Sequence, residues 1–522
     1  MQTTDLFPVF FSRSFGNIPQ PGISLEVEHM AWQVQGGCKS ARLAARVRGP
    51  VDLDQFAALL RCPVIVYSAA GRRVWWGVVW SVRIQDESTS PPIREVRLLG
   101  EGGDRVGAWL SLDDLTNRAR VIYGKQEPEA TGAGVRASTA WEDDLNSQAI
   151  YGVKEGQYSL ELANPSQAET LRSNNLKASS RISPRPIIGL GTSESSIIID
   201  LRGWWETLAW RFYANSTGVI QHITRNPNYL VPVGDNTSQI MAQQITVPVG
   251  GWQVESIWFQ LKRVGAPTST LSALLYTDVA GSPGVNLASG ALDGTNLSIA
   301  NPVWLRFLLS SPVAVTAGVY WIAITDNSSK ADVNYYRVQA DRLAGYAGGV
   351  AKSYNGAAWS AVLAYDLQFK VAGTMETTEQ IKLMAGAAFG GQFLAGVRVD
   401  QPSAIFTNPQ RTGDKTVLDE ITAHLEAGGL TGAKYQATIT PERYMIVSPK
   451  PAAYTARLVV RGDGIIRLRG GQIAPPGPDL AGCWAVLDTK WAINSASWLQ
   501  SPGRVFIERV EWQDGVCRAV NP

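Results

Sequence analysis

Residues 244–265 read QITVPVGGWQVESIWFQLKRVG, and the parity of this run decides how the chain is read. Ile257, Phe259 and Leu261 fall on one side of a period-2 pattern, and Ser256, Gln260 and Lys262 on the other, which is the pattern of a half-buried strand. Further short runs follow, STLSALLYTDV, PVWLRFLLSSPVAV, GVYWIAITD and DLQFKVAG, set in sequence rich in Ser, Thr, Gly and Asn. That spacing predicts a β-sandwich of jelly-roll type over residues 236–372. Sequence with helical periodicity lies on both sides, so the sandwich is expected as an insertion whose ends lie close together.

The host divides into 1–110, 111–235, 373–465 and 466–522. In the first part KSARLAARV alternates, with Ala41, Leu43, Ala45 and Val47 against Arg42 and Arg46. A short helix follows, with Asp52 as its N-cap, and then CPVIVYSAAGRRVWWGVVWSVRI reads as two strands around a Gly-containing turn. In the second part, Ser166 and Glu169 have capping-box spacing for a helix. SSIIIDLRGWWETLAWRFY is a strand, a turn at Gly203 and an aromatic stretch. TTEQIKLMAGAAFGG predicts a Thr-capped helix, and DKTVLDEITAHLEAGGL another, with Leu418, Ile421 and Leu425 in register and Gly428 as its stop. KYQATITPERYMIVSPKP reads as a hairpin, and the last strands need an earlier sheet, for which the N-terminal unit is the expected host. The fold class is therefore mainly β, an α+β host carrying an inserted sandwich.

Length gives a prior of about three or four domains. A formal charge of +2 offers no electrostatic reason to expect nucleic acid or an anionic membrane as a partner. Cys38, Cys62, Cys483 and Cys517 have neither CxxC nor zinc-like spacing, so free thiols are expected, with no metal and no cofactor. The N-terminus does not read as a secretory signal, and no run approaches the ~20 apolar residues of a membrane span, so synthesis in the cytoplasm is expected.

Catalytic signatures are missing from the sequence. His29, His222 and His424 have no partner at metal-ligand spacing, and there is no GxSxG, Walker or GxGxxG motif. Glu142, Asp143 and Asp144 are adjacent acids that point in different directions, not a facing pair. RGDG at 461–464 reads as a turn, and the sequons in DNTS, TNLS and DNSS have no secretory context. Asp278, Asp293 and Asp326 sit at loop tips of the sandwich, where Ca²⁺ is an alternative to simple solvation. Its aromatics, Trp252, Trp258, Trp304, Trp321, Tyr335, Tyr336 and Trp359, divide between core and a sugar-stacking surface. Trp304, Trp321, Tyr335, Tyr336 and Trp359 are the ligand-binding candidates.

The ordered pieces QGGCKSARLAARV, LLRCPVIVYSAAGRRVWWGVVWSVRI, SQAIYGVKEGQYSL with NPSQAETLRSNNL, and TPERYMIVSPKP resemble the tail-hub, or baseplate-hub, proteins of tailed bacteriophages over most of 20–235 and 375–515. The resemblance implies β-barrel-like tube domains and a homotrimer whose pseudo-sixfold ring adapts a sixfold tail tube to a threefold tip. It also implies a channel for DNA and tape-measure protein, with the tail tube or distal tail protein and the central fibre proteins as neighbours. The insert, with TVPVGGW, SPG and AGVYWIAI, resembles β-sandwich modules appended to bacterial and phage surface proteins. It would project outward towards host surface glycan or a neighbouring tail protein. No fused lysozyme remains once host and insert are subtracted, so no enzymatic activity is expected. The alternatives are a carbohydrate-binding adhesin and a glycan-degrading tail enzyme.

Overall fold

A computed structural model describes residues 5–18, 21–46, 53–86, 104–125, 136–190, 196–215, 219–223, 228–234, 239–326, 333–342, 346, 348–362, 365–387, 390–409, 411–451, 458–460, 464–487 and 504–520. The chain is mainly β.

Alternation builds the host. In strand Gly37–Arg46 the side chains of Ala41, Leu43 and Ala45 are buried, while Arg42 points outward and pairs with Asp200 at 2.9 Å. Ser196–Arg202 lies antiparallel beside it and buries Ile197, Ile199 and Leu201 in the same way. The hairpin Pro63–Ser68 and Arg73–Asp86 forms as its sequence predicts and joins the other edge of Ser196–Arg202. The result is a ten-stranded sheet that reaches across the expected boundary at 110/111 to take Arg185–Leu190 and Ser196–Arg202. The C-terminal hairpin, Arg509–Gln513 and Val516–Val520, completes it by pairing with Glu26–Gln33.

The later host elements pack on this sheet. Helices Thr377–Met384 and Val417–Ala427 bury Ile381, Met384, Ile421 and Leu425 in one core with Trp75, Trp204 and Trp210. The hairpin Tyr435–Ile439 and Tyr444–Pro449 docks through Trp76, whose Nε1 donates to the Ile439 carbonyl at 2.7 Å. Gly203 turns the chain where it crosses the strand start, and a Cβ there would lie 1.8 Å from the Cys38 carbonyl oxygen.

Two caps differ from expectation. Asn164, not Ser166, caps helix Pro165–Ser179 in a box with Gln167, because Pro165 has no N–H to lose and belongs in the first turn. Glu376, not a threonine, caps Thr377–Met384. Asp52 lies outside the described residues.

The inserted strands, joined by Phe406–Thr407 of the later host, form two facing sheets of eight and six strands. Trp252–Val264 is the centre of the first, with Val303–Val315 on one edge and Phe369–Glu376 then Tyr335–Asp341 on the other. The second runs Ser282–Asp293, Thr270–Val279, Gly318–Asp326, Ile240–Val247, Ala351–Tyr354, Trp359–Val362. Ile257, Phe259 and Leu261 meet Leu271, Leu275, Phe307, Ile322 and Ile324 in a fully buried layer between them. The eight-stranded sheet also takes Val219–Ile223 and Tyr229–Val233, upstream of 236, and Phe369–Glu376 runs past 372.

The chain leaves the host along Phe212–Asn215 and returns at Met375–Glu376, and one segment bridges both passages. Phe406–Thr407 pairs with Met375–Glu376, and Arg411–Thr416 pairs with Phe212–Asn215. A buried carboxylate holds each passage. Glu155 accepts from Arg211 Nε at 2.8 Å, Arg118 at 3.1 Å and the Phe212 N–H at 2.7 Å. Glu376, fully buried, accepts from the Glu379 and Ala404 N–H groups at 3.0 Å each, and from Thr378 and both the N–H and hydroxyl of Ser403.

Two outcomes follow for stability. Glu376→Ala strands several buried donors and lowers unfolding free energy by about 3 kcal/mol or more, whereas Glu376→Gln loses less; chemical denaturation separates them. Gly203→Ala forces strand and turn apart and costs about 1–3 kcal/mol, visible as a lower melting temperature.

Candidate functional site

Strand parity distributes the candidate aromatics over three places. Tyr336 points between the sheets, is fully buried and donates its hydroxyl to the Ser269 carbonyl at 3.0 Å. It is a core residue and not a ligand contact, because Val338 and Ala340 share its parity. Trp252 is buried in the same layer.

Trp321 and Trp359 lie together on the outer face of the six-stranded sheet, with Tyr276 and Tyr354. The Trp359 ring is 5.1 Å from Tyr354 and 6.5 Å from Tyr276. Trp321 is nonetheless fully covered. Its Nε1 donates to Asp278 at 2.7 Å, and the Lys352 ammonium stands 5.6 Å from its ring centroid while bonding Ser282 at 2.8 Å. This cluster closes on itself as a small satellite core, leaving Trp359 half-buried at its rim.

Trp304 and Tyr335 lie on the outer face of the eight-stranded sheet, where they join Trp258 and four cations. The register sets these side chains in rows. Arg306, Trp258 and Lys370 are cross-strand neighbours, Trp304 faces Gln260, and Lys262 faces Arg337. Lys370 Nζ is 4.3 Å from the Trp304 centroid and 5.6 Å from that of Trp258, and Arg306 is 5.8 Å from Trp258. Arg306 Nε donates to Ser256 at 3.1 Å, covering that serine, and Arg337 donates to the Tyr335 hydroxyl at 2.9 Å. Among the described residues none of Lys262, Arg306, Arg337 and Lys370 forms an ion pair, and burial alone lowers the Lys370 pKa. The Trp258 Nε1 is buried without an acceptor there. Sequence reasoning passed over these cations, although Trp258, Gln260 and Lys262, and Trp304 with Arg306, announce one face by their even spacing.

The other candidates have structural partners. Glu142 accepts from Ser173 and from Arg172, each at 2.8 Å, and these hydrogen bonds hold its pKa down. Asp143 pairs with Arg118 at 3.3 Å, and Asp144 caps helix Leu145–Tyr151. Asp278 is bound to Trp321, Asp293 accepts from the Thr295 N–H at 2.9 Å, and Asp326 is buried; no three potential metal ligands gather among the described residues. His424 is buried between the Glu420 carbonyl at 2.7 Å and Gln380 Oε1 at 3.0 Å, and burial lowers its pKa. Among the described residues the four cysteines are free, and burial raises their pKa values, to about 12 for Cys517. A host cleft of about 550 Å³ contains His29, Asp113 and Asp200, but Asp113 is engaged by Trp80 and Arg202, and Asp200 by Arg42 and Ser81. RGDG falls at 461–464, of which only Gly464 is described, and the DNTS sequon is also outside the described residues. No described helix is long and apolar enough to cross a membrane.

No family model and no curated protein matches this chain. Among solved structures, the insecticidal delta-endotoxin Cry8Ea1 from Bacillus thuringiensis is 9% identical with a TM-score of 0.15, over 62% of this chain and 53% of that one. An uncharacterized protein from Listeria monocytogenes is 11% identical with a TM-score of 0.14, over 62% and 30%. The VP2 subviral particle of infectious bursal disease virus is 9% identical with a TM-score of 0.12, over 68% and 81%. This chain thus spans about half the length of the endotoxin, and overlaps this loose carry no argument.

The division of the two tyrosines is testable. Tyr336→Phe lowers stability by about 1 kcal/mol through its lost buried hydrogen bond, measured by thermal unfolding, while Tyr335→Phe at the surface changes it little.

Proposed function

We propose that the chain is a structural hub protein of a bacteriophage tail tip, without enzymatic activity of its own. In this reading three copies form a ring around the DNA channel and adapt a sixfold tube to a threefold tip. The sandwich decorates the outside of the virion. One observation carries it: three of the four segments on which the hub resemblance rests converge on a single locus. Cys38 Sγ accepts from the Trp76 N–H at 3.3 Å, Trp76 reaches the Ile439 carbonyl, and Arg73 pairs with Glu442 of TPERYMIVSPKP. Pieces far apart in sequence therefore act as one structural unit, as ordered motifs of a scaffold would.

Two further features support assembly. The sandwich is tied to the host by adjacent passages, so it can project without interrupting the host core. Strand Leu6–Phe10 is an edge of the ten-stranded sheet and exposes Phe7 to 52%, a feature that pairing between subunits would cover. The second reading, a carbohydrate-binding adhesin, is favoured by the cationic and aromatic face around Trp258. It does not exclude the first, because a decoration can carry that face.

Static light scattering on the full-length protein tests the assembly. A mass near three times 56.5 kDa is expected, and Phe7→Asp shifts it towards the single-chain value. A monomer at all concentrations contradicts an intrinsic ring.

A further inference from the structure

We propose that the outer face of the eight-stranded sheet binds an acidic polysaccharide, with Trp258, Trp304 and Tyr335 as stacking platforms and Lys262, Arg306, Arg337 and Lys370 as carboxylate partners. This deepens the outward-decoration reading above and rests on it for access to a surface glycan.

A cation left half-buried on a sheet normally has a carboxylate beside it, and this face has three, Lys262, Arg337 and Lys370, with the exposed Arg306 as a fourth, all without an ion pair among the described residues. Their places are fixed by register. Arg306 and Lys370 flank Trp258 two strand spacings apart, about 10 Å, and Lys262 with Arg337 forms the second cationic row. Positive charge therefore repeats across several strands, which suits a polymer with repeating negative charge more than a single small anion.

Aromatic placement narrows the class. Pyranose rings have apolar C–H faces that pack on indole, while their hydroxyls need neutral donors and acceptors. Trp304 and Gln260 sit opposite one another between the two cationic rows, and the Trp258 N–H has no acceptor among the described residues. Lys370, held against both indoles, sets a positive charge next to the two rings, and it would swing to a sugar carboxylate as the sugar takes its place on them. Single-stranded nucleic acid also combines stacking with charge. Neutral hydrogen-bonding positions between the rings and an outward location favour the sugar.

Affinity electrophoresis of the full-length protein tests this with hyaluronate, neutral dextran and a twenty-nucleotide oligothymidylate. Retardation by hyaluronate that weakens as salt rises, with none by dextran, is expected. Lys370→Gln with Arg306→Gln, and separately Trp304→Ala, each weaken it at least tenfold while thermal unfolding stays cooperative. Should the Lys370 variant not fold, Lys262→Gln with Arg306→Gln replaces it. The proposal is overturned by no retardation at low salt, by equal retardation in dextran, by tighter binding of the oligonucleotide, or by full binding in Trp304→Ala. Light scattering on the same samples keeps the two readings apart: a trimer without binding removes the site, and a binding monomer removes the intrinsic ring.

Discussion

Two buried glutamates allow one β domain to contain another. Glu155 holds the strand along which the chain leaves the host, and Glu376 holds the point at which it returns. Removing a carboxylate from water is costly unless its lone pairs are used; Glu155 uses them on guanidinium and backbone N–H donors, and Glu376 on backbone N–H and hydroxyl donors. The 406–416 segment then pairs with both passages, so the insertion ends at a defined neck. Host core and sandwich core can each close independently as a result, which their separate sets of buried residues reflect.

Much of this was legible in the sequence because strands write their faces at period two. Ala41, Leu43 and Ala45, and Ile257, Phe259 and Leu261, are buried as alternation requires. Helix starts were harder. Ser166 and Glu169 have box spacing, yet Asn164 and Gln167 have it too, and only the position of Pro165 decides between them. Glu376 could not be read as a cap, because its role depends on Ser403 and Ala404, which arrive from a later loop. The N-terminal sheet likewise draws Ser196–Arg202 from beyond the expected boundary, a pairing no local pattern encodes.

The ligand candidates show the same limit. Tyr335 and Tyr336 are adjacent, so one must face outward and one inward, and the parity of Val338 and Ala340 assigns Tyr336 to the core. Trp321 has outward parity and is still covered, since Asp278 from the adjacent strand and Lys352 from two strands away close over it. Composition concealed the face around Trp258 for a different reason. A near-neutral total charge averages over the molecule, whereas Lys262, Arg306, Arg337 and Lys370 come from four separate strands and meet only through register.

On the proposed reading a ring-forming host carries the sandwich outside its channel. Electron microscopy of the assembled full-length protein, beside a variant in which a short linker replaces residues 219–375, addresses it most directly. A threefold ring with an open centre is expected in both samples, and three peripheral knobs only in the full-length one. Knobs that fill the opening, or a ring that never forms in either sample, would contradict it.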